Sequence, residues 1–300
     1  VRTGNANGKR TTATETATTD PQVFAHRGFA GVYPENTVAA VEGAVADGRA
    51  ATIEVDVMAT ADGKVIVFHD DTLARVTNAP ESVATKPIWE LTYEQIAGYS
   101  VLGTTQSVPL LSDVLAVIPT DMRVNIELKN PGCRQLRFAE ALSGRTLQAA
   151  TDRWLEFVDR VVETATASGH ELLVSSFYEG ALAATRSVDS SVPVAAVLYD
   201  SIETGLTLSR RYDVAAIHPP WSMLTVPTEP TADVPVSGSF DETDLIEVAA
   251  TEGWDVNAWT VTTWHQAAEL QRVGVDGIIT DYPSVCTPQQ RQSRPQPSTQ

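Results

Sequence analysis

The chain has 300 residues and a formal net charge of −17. That length holds one large α/β domain or two ordinary ones, with ample core either way. The negative charge argues against a nucleic-acid partner and an anionic membrane surface; were the ligand an anion, the positive charge to hold it would have to be gathered locally.

Residues 1–21 are rich in Thr, Ala, Gly and Asn and lack hydrophobic periodicity; they read as a disordered tail, as does 288–300. The folded body is expected over 22–287. Val23, Phe24 and Ala25 form a short buried strand, with His26, Arg27 and Gly28 at its C-terminal end. A loop containing the run PENT leads into a helix from about Asn36 to Ala46. Its apolar stripe is Val38, Val41 and Val45, and Gly48 is placed to close it.

The run IEVDV (Ile53 to Val57) reads as the second strand. Side chains alternate along a strand, so Glu54 and Asp56 share one face and Ile53, Val55 and Val57 the other. Two carboxylates on one face call for a cation or a proton between them. Ala61-Asp62-Gly63 is a turn signal, and VIVFHD after it returns antiparallel as a hairpin arm. The favoured register puts His69 beside the two carboxylates; a slip of one residue would turn it to the other face.

Residues 72–109 interrupt this rhythm, with a short helix around Thr92 to Ala97 and no strand, and read as an insertion over one end of the domain. A helix follows over 112–119, with Ser112 as N-cap and Pro119 at its end. VNIELK repeats the device of IEVDV: Val124, Ile126 and Leu128 face one way and Asn125, Glu127 and Lys129 the other. Residues 134–168 read as a long helical region with a break near Gly144. Strands and helices then alternate to the final strand VDGIITDYP. With the hairpin return counted as an arm, strands end near Ala25, Val57, Leu128, Ser176, Leu198, Ile217, Trp259 and Ile279. Eight such repeats predict an α/β fold of the (β/α)₈ barrel type, with a β-hairpin arm and a small insertion after the second strand.

In such a barrel, functional groups gather at the C-terminal strand ends. There the first strand offers His26 and Arg27, the second Glu54 and Asp56 with His69 on its arm, and the third Glu127 and Lys129. Three converging carboxylates make an all-oxygen site suited to Mg²⁺ or Ca²⁺. Arg27 and Lys129 can hold a phosphate, one as a fork and one as a point charge. His26 and His69 are suited to acid/base work. His218 reads equally as loop packing or substrate contact, Asp281 as a loop cap, and Ser175 and Ser176 as structural hydrogen-bond formers. Trp89, Trp154, Trp221, Trp254 and Trp264 read as packing residues. Cys133 and Cys286 read as inert thiols, with a single bridge as the alternative.

The set HRG, PENT, E-x-D-V, T-x-DG, HD, E-L-K, SSF, WTV and TDYP, in this order over Val23 to Pro283, resembles the glycerophosphodiester phosphodiesterase family. The resemblance implies a TIM barrel that uses a divalent cation to hydrolyse glycerophosphodiesters to sn-glycerol 3-phosphate and an alcohol. It assigns His26 and His69 as the acid/base pair and Glu54, Asp56 and Glu127 as metal ligands. It brings Arg27 and Lys129 to the phosphate and Trp259 to the glycerol side of the pocket. Two stretches depart from the family's pattern: VPLLSDVL stands where a Pro-Thr-Leu-Glu run is common, and the segment after Lys129 is longer. A lysophospholipase D on the same site and a non-catalytic barrel binding protein are the alternatives, although the latter would typically have lost one of these acids or histidines. No apolar run approaches the about 18 residues of a membrane span. A cytoplasmic protein without stable membrane insertion is expected, or a secreted one whose leader is not in view.

Overall fold

Residues 20–224 and 243–286 are described in the computed structural model. Nearly all of both predicted tails, and residues 225–242, lie outside the described residues. Strand β1 (Gln22–Ala25) leads through a short 3-10 turn and a loop to α1 (Val38–Asp47). Then come β2 (Thr52–Ala59), β3 (Val65–Val67), and three short helices, α2 (Glu81–Ala84), α3 (Tyr93–Ile96) and α4 (Leu111–Leu115). Strand β4 (Arg123–Asn130) precedes α5 (Gly144–Ala167), β5 (Leu172–Ser176) and α6 (Glu179–Val188). The chain closes with β6 (Val194–Val197), α7 (Ile202–Tyr212), β7 (Ala216–His218), α8 (Leu245–Glu252), β8 (Asp255–Val261), α9 (Trp264–Val273) and β9 (Gly277–Thr280).

The parallel strands run in the order β1-β9-β8-β7-β6-β5-β4-β2, and a pairing of β1 with β2 closes the ring. This is a (β/α)₈ barrel, as the strand–helix alternation predicts. The antiparallel β3 is the arm. β1 pairs with β2 only at Thr52 and Ile53, and β3 takes the next stretch, with Val57 opposite Val67. Continued, that register would set His69 opposite the outward-facing Val55, but β3 ends at Val67 and His69 instead lines the same cavity as Glu54 and Glu127, the side expected from the sequence.

Two apolar layers follow from the period of two in the strands. Ile53, Val55, Val57, Val124, Ile126 and Leu128 point outward and pack under the helices, among them Trp154 and Phe157 of α5. Inside the barrel, Phe24, Leu173, Ala195, Ala216 and Ile279 form a separate small cluster with Trp259 against it. The 72–109 segment carries a core of its own, where Leu73, Val76, Ile88 and Ile96 close over Met58, Ile66 and Phe68 of the hairpin. Among the described residues no helix is long and apolar enough to cross a membrane.

Three helix boundaries differ from expectation. α1 starts at Val38, because Thr37 caps it and Asn36 holds a left-handed φ of 57°. α4 spans only Leu111–Leu115; Ser112 lies inside it, and Asp113 accepts the Leu110 N–H instead. Residues 134–143 are not helical. The buried Glu179 takes the Leu142 N–H, and Arg211 donates to both Glu179 and the Leu142 carbonyl, so this loop is fixed by a side-chain clamp. Trp264, expected to pack, is 53% exposed. Both cysteines are free.

Candidate active site

β2 and β4 lie side by side, with Glu54 opposite Asn125 and Asp56 opposite Glu127. The pleat sends these side chains to one face. Glu54, Asp56 and Glu127 each offer an oxygen, and those atoms all lie within 4.8 Å of one another. Glu54 and Asp56 are buried, and Glu54 Oε1 and Asp56 Oδ1 have no hydrogen-bond partner. Burial, then the charges of Asp56 and Glu127, push the Glu54 carboxyl well above the usual carboxylate range. Burial also opposes the charge of Asp56, but Lys129, Arg27 and His69 outweigh it and hold this group well below that range. Buried, unpaired carboxylate oxygens in a triad of this size fit a hard divalent cation.

Two cations border the triad. Arg27 follows β1 in the 3-10 turn and has φ of 50°. That left-handed conformation aims its backbone N–H at Glu54 Oε2, 2.7 Å away, while its Nε sits 3.2 Å from Asp56 Oδ2. Gly28 beside it could not be replaced without a shift: a Cβ there would lie 2.8 Å from the Ala40 backbone. Lys129 Nζ lies 2.7 Å from Glu127 Oε1 and 3.7 Å from Asp56 Oδ1. Burial disfavours both charges, yet the neighbouring acids prevail and raise both pKa values.

His26 and His69 enter from β1 and from the hairpin arm. Each has a carboxylate on Nδ1: Asp281 for His26 and Asp70 for His69, both at 2.6 Å. An ionised carboxylate only accepts, so Nδ1 carries the proton in each ring and Nε2 is left for chemistry. Both histidines line a cavity of about 300 Å³ together with Arg27, Glu54, Glu127 and Lys129. Its far wall is aromatic. Phe138 stacks on Phe177 at 5.0 Å and meets Tyr199 edge-on at 4.9 Å, while Phe177 meets Trp259 edge-on at 5.6 Å. Trp259 donates its Nε1–H to the His218 carbonyl, which leaves it a ring face for the cavity. His218 is held uncharged by burial, its pKa lowered to about 3, and it contacts Asn257 at 3.1 Å.

The structure thus brings all eight sequence-selected residues, His26, Arg27, Glu54, Asp56, His69, Glu127, Lys129 and Trp259, to one end of the barrel. Sequence reading missed three contributors. Asn36 donates from Nδ2 to Asp56 Oδ2 at 2.8 Å and accepts the Asp56 N–H at 3.2 Å; its signal was the PENT run, assigned instead to a helix start. Asp281 is the partner of His26, 255 positions away in sequence, so only the closed barrel reveals it. Phe138 sits on the longer segment after Lys129 and had no signal, since that stretch also reads as helix. Ser176 has the structural role expected of it, donating to the Leu128 carbonyl.

A model of the glycerophosphoryl diester phosphodiesterase family matches residues 26–285. A glycerophosphodiester phosphodiesterase of Bacillus altitudinis is 30% identical over 270 residues, covering 87% of this chain and 95% of that protein. One from Caldanaerobacter subterraneus is 27% identical over 271 residues, covering 87% and 94%. Among solved structures, a phosphodiesterase of Oleispira antarctica superposes with a TM-score of 0.69 at 24% identity, covering 88% of this chain and 94% of that one. The barrel, the acid triad between β2 and β4, and a family match spanning the described core agree: this chain is a phosphodiesterase that belongs to the glycerophosphoryl diester phosphodiesterase family.

Proposed function

We propose that the protein hydrolyses glycerophosphodiesters to sn-glycerol 3-phosphate and an alcohol, using a divalent cation, Mg²⁺ or Ca²⁺. The observation that carries this reading is the joint placement of three acids and two carboxylate-backed histidines in one cavity. The Oleispira antarctica relative is described in complex with the product sn-glycerol-3-phosphate, which supports the same product here.

Glu54, Asp56 and Glu127 would hold the cation, which when bound supplies Lewis-acid charge to a phosphate oxygen. Arg27 and Lys129 bind the phosphate and offset the charge that builds up on it. One histidine takes a proton at Nε2 from the attacking hydroxyl, that of water or the glycerol 2-hydroxyl. The other gives a proton from Nε2 to the oxygen of the departing alcohol. Asp281 and Asp70 keep both rings turned so that Nε2 faces the cavity. Trp259 lines the side of the cavity that takes the glycerol.

The test is product identity. Glycerophosphocholine and glycerophosphoethanolamine, followed by ³¹P NMR, should give sn-glycerol 3-phosphate and the free alcohol. Release of glycerol and a phosphorylated alcohol would overturn the assignment. A transient five-membered cyclic phosphate would identify the 2-hydroxyl as the nucleophile. Asp281→Asn should lower kcat by at least about tenfold, short of the roughly 10⁴-fold known for a buried triad aspartate. The gap is expected because the Asp281 side chain is 24% exposed and water can replace part of its hydrogen bond. Unchanged kcat would remove Asp281 from the machinery.

A further inference from the structure

Arg75 lies on the 72–109 segment, outside the barrel, yet it bridges two parts of the site. Its guanidinium donates from Nη1 and Nη2 to Glu35 at 2.8 and 2.7 Å, and from Nε and Nη2 to Asp70 at 2.6 and 3.2 Å. Glu35 in turn accepts from Arg27 Nη1 at 3.0 Å, and Asp70 accepts from His69 Nδ1 at 2.6 Å. A continuous chain, His69–Asp70–Arg75–Glu35–Arg27, therefore joins one histidine of the cavity to one arginine. The planar fork gives each carboxylate two hydrogen bonds from fixed directions; an ammonium, with three donors on one nitrogen, cannot reproduce all four. Leu73 and Val76, on either side of Arg75, are buried in the segment's own apolar cluster. The backbone beneath Arg75 is thus anchored by packing.

We propose that Arg75 is a positioning residue for the reaction and that the 72–109 segment serves to present it. By holding Asp70 and Glu35 in one frame, it fixes the His69 ring relative to the Arg27 guanidinium. The acid/base group and the phosphate-binding group then keep a constant separation while substrate comes and goes. This rests on the roles proposed above for His69 and Arg27. The Arg75 side chain is 48% exposed, so its ion pairs are screened and add little to stability. Its influence falls on geometry, where a displacement of about 1 Å is enough to cost roughly 10²-fold in rate.

The experiment measures kcat, KM and Tm for wild type, R75K, R75Q, D70N, E35Q, the doubles R75Q/D70N and R75Q/E35Q, and H69A. R75Q should lose about tenfold or more in kcat with Tm nearly unchanged. R75K should recover only part of that loss, since three donors on one nitrogen cannot hold both carboxylates in the fixed two-bond geometry of the guanidinium. In the D70N and E35Q backgrounds R75Q should cost much less than in wild type, because the connection is already broken. Millimolar guanidinium, but not sodium, should restore turnover to Arg75→Ala. Arg134→Gln, which removes the exposed pair between Arg134 and Glu90 of the same segment, should leave turnover unchanged. R75Q within about twofold of wild type, or a loss that simply multiplies that of D70N, would overturn the proposal. An equal loss in Arg134→Gln would do the same, by showing that any loosening of the segment suffices. Wild-type turnover in H69A would instead locate the error in the role given to His69.

Discussion

His26→Ala and His69→Ala should each lose roughly 10²–10⁴ in kcat toward a glycerophosphodiester. The fold should survive, because the two side chains are only 14% and 29% exposed yet face the cavity rather than the apolar layers. The double variant should be little worse than the poorer single one, since groups that act as a unit are not additive. Leaving-group chemistry separates their roles. A diester with a nitrophenolate leaving group needs no proton as it departs, so the variant lacking the acid should recover most of its rate there. The variant lacking the base should not. Turnover near wild type in either single variant would end the acid/base assignment.

Chelation should abolish turnover, and Mg²⁺ or Ca²⁺ should restore it. Glu54→Gln should lose activity that neither ion returns, because the triad no longer has three charges to offer. A stability readout makes this independent of catalysis. A cation at about 100 times its Kd should stabilise the wild type by about 2.7 kcal/mol and Glu54→Gln far less. Proton linkage gives the sign in the cation-free protein. The folded-state pKa of Glu54 lies well above its usual value because of burial and of Asp56 and Glu127. Its contribution is therefore fully present below about pH 4.3, the unfolded value, and is lost as pH rises through the folded value. Cation-free wild type should lose Tm over that window, and Glu54→Gln, which cannot ionise, should lose less. No shift in Tm on adding either ion would refute the metal site.

Much of this site was legible before any coordinates. The repeated alternation in IEVDV and VNIELK fixes which residues share a face, and parallel register then brings Glu127 level with Asp56. A period of two is a local property, so the sequence carries it openly. Partners set by closure of the barrel are not local. Asp281 meets His26 only because β9 pairs with β1, and nothing in TDYP states that. Loops fixed by side-chain clamps are equally hidden. Residues 134–143 have a composition compatible with helix, but Glu179 and Arg211 hold that stretch open. The helix starts two residues after Asn36, because Thr37 is its cap: the Thr37 hydroxyl accepts the Ala40 N–H at 3.2 Å.

The small apolar cluster inside the barrel has a further consequence. Among the described residues, Phe24 meets the His218 ring edge-on and, with Leu173 and Ile279, plugs the barrel interior, so the cavity is a well closed on that side. A molecule that reaches the acids cannot leave through the barrel interior and must depart on the side from which it came. Departing fragments and incoming substrate therefore use the same side of the barrel, and a fragment that lingers there stands in the way of the next arrival.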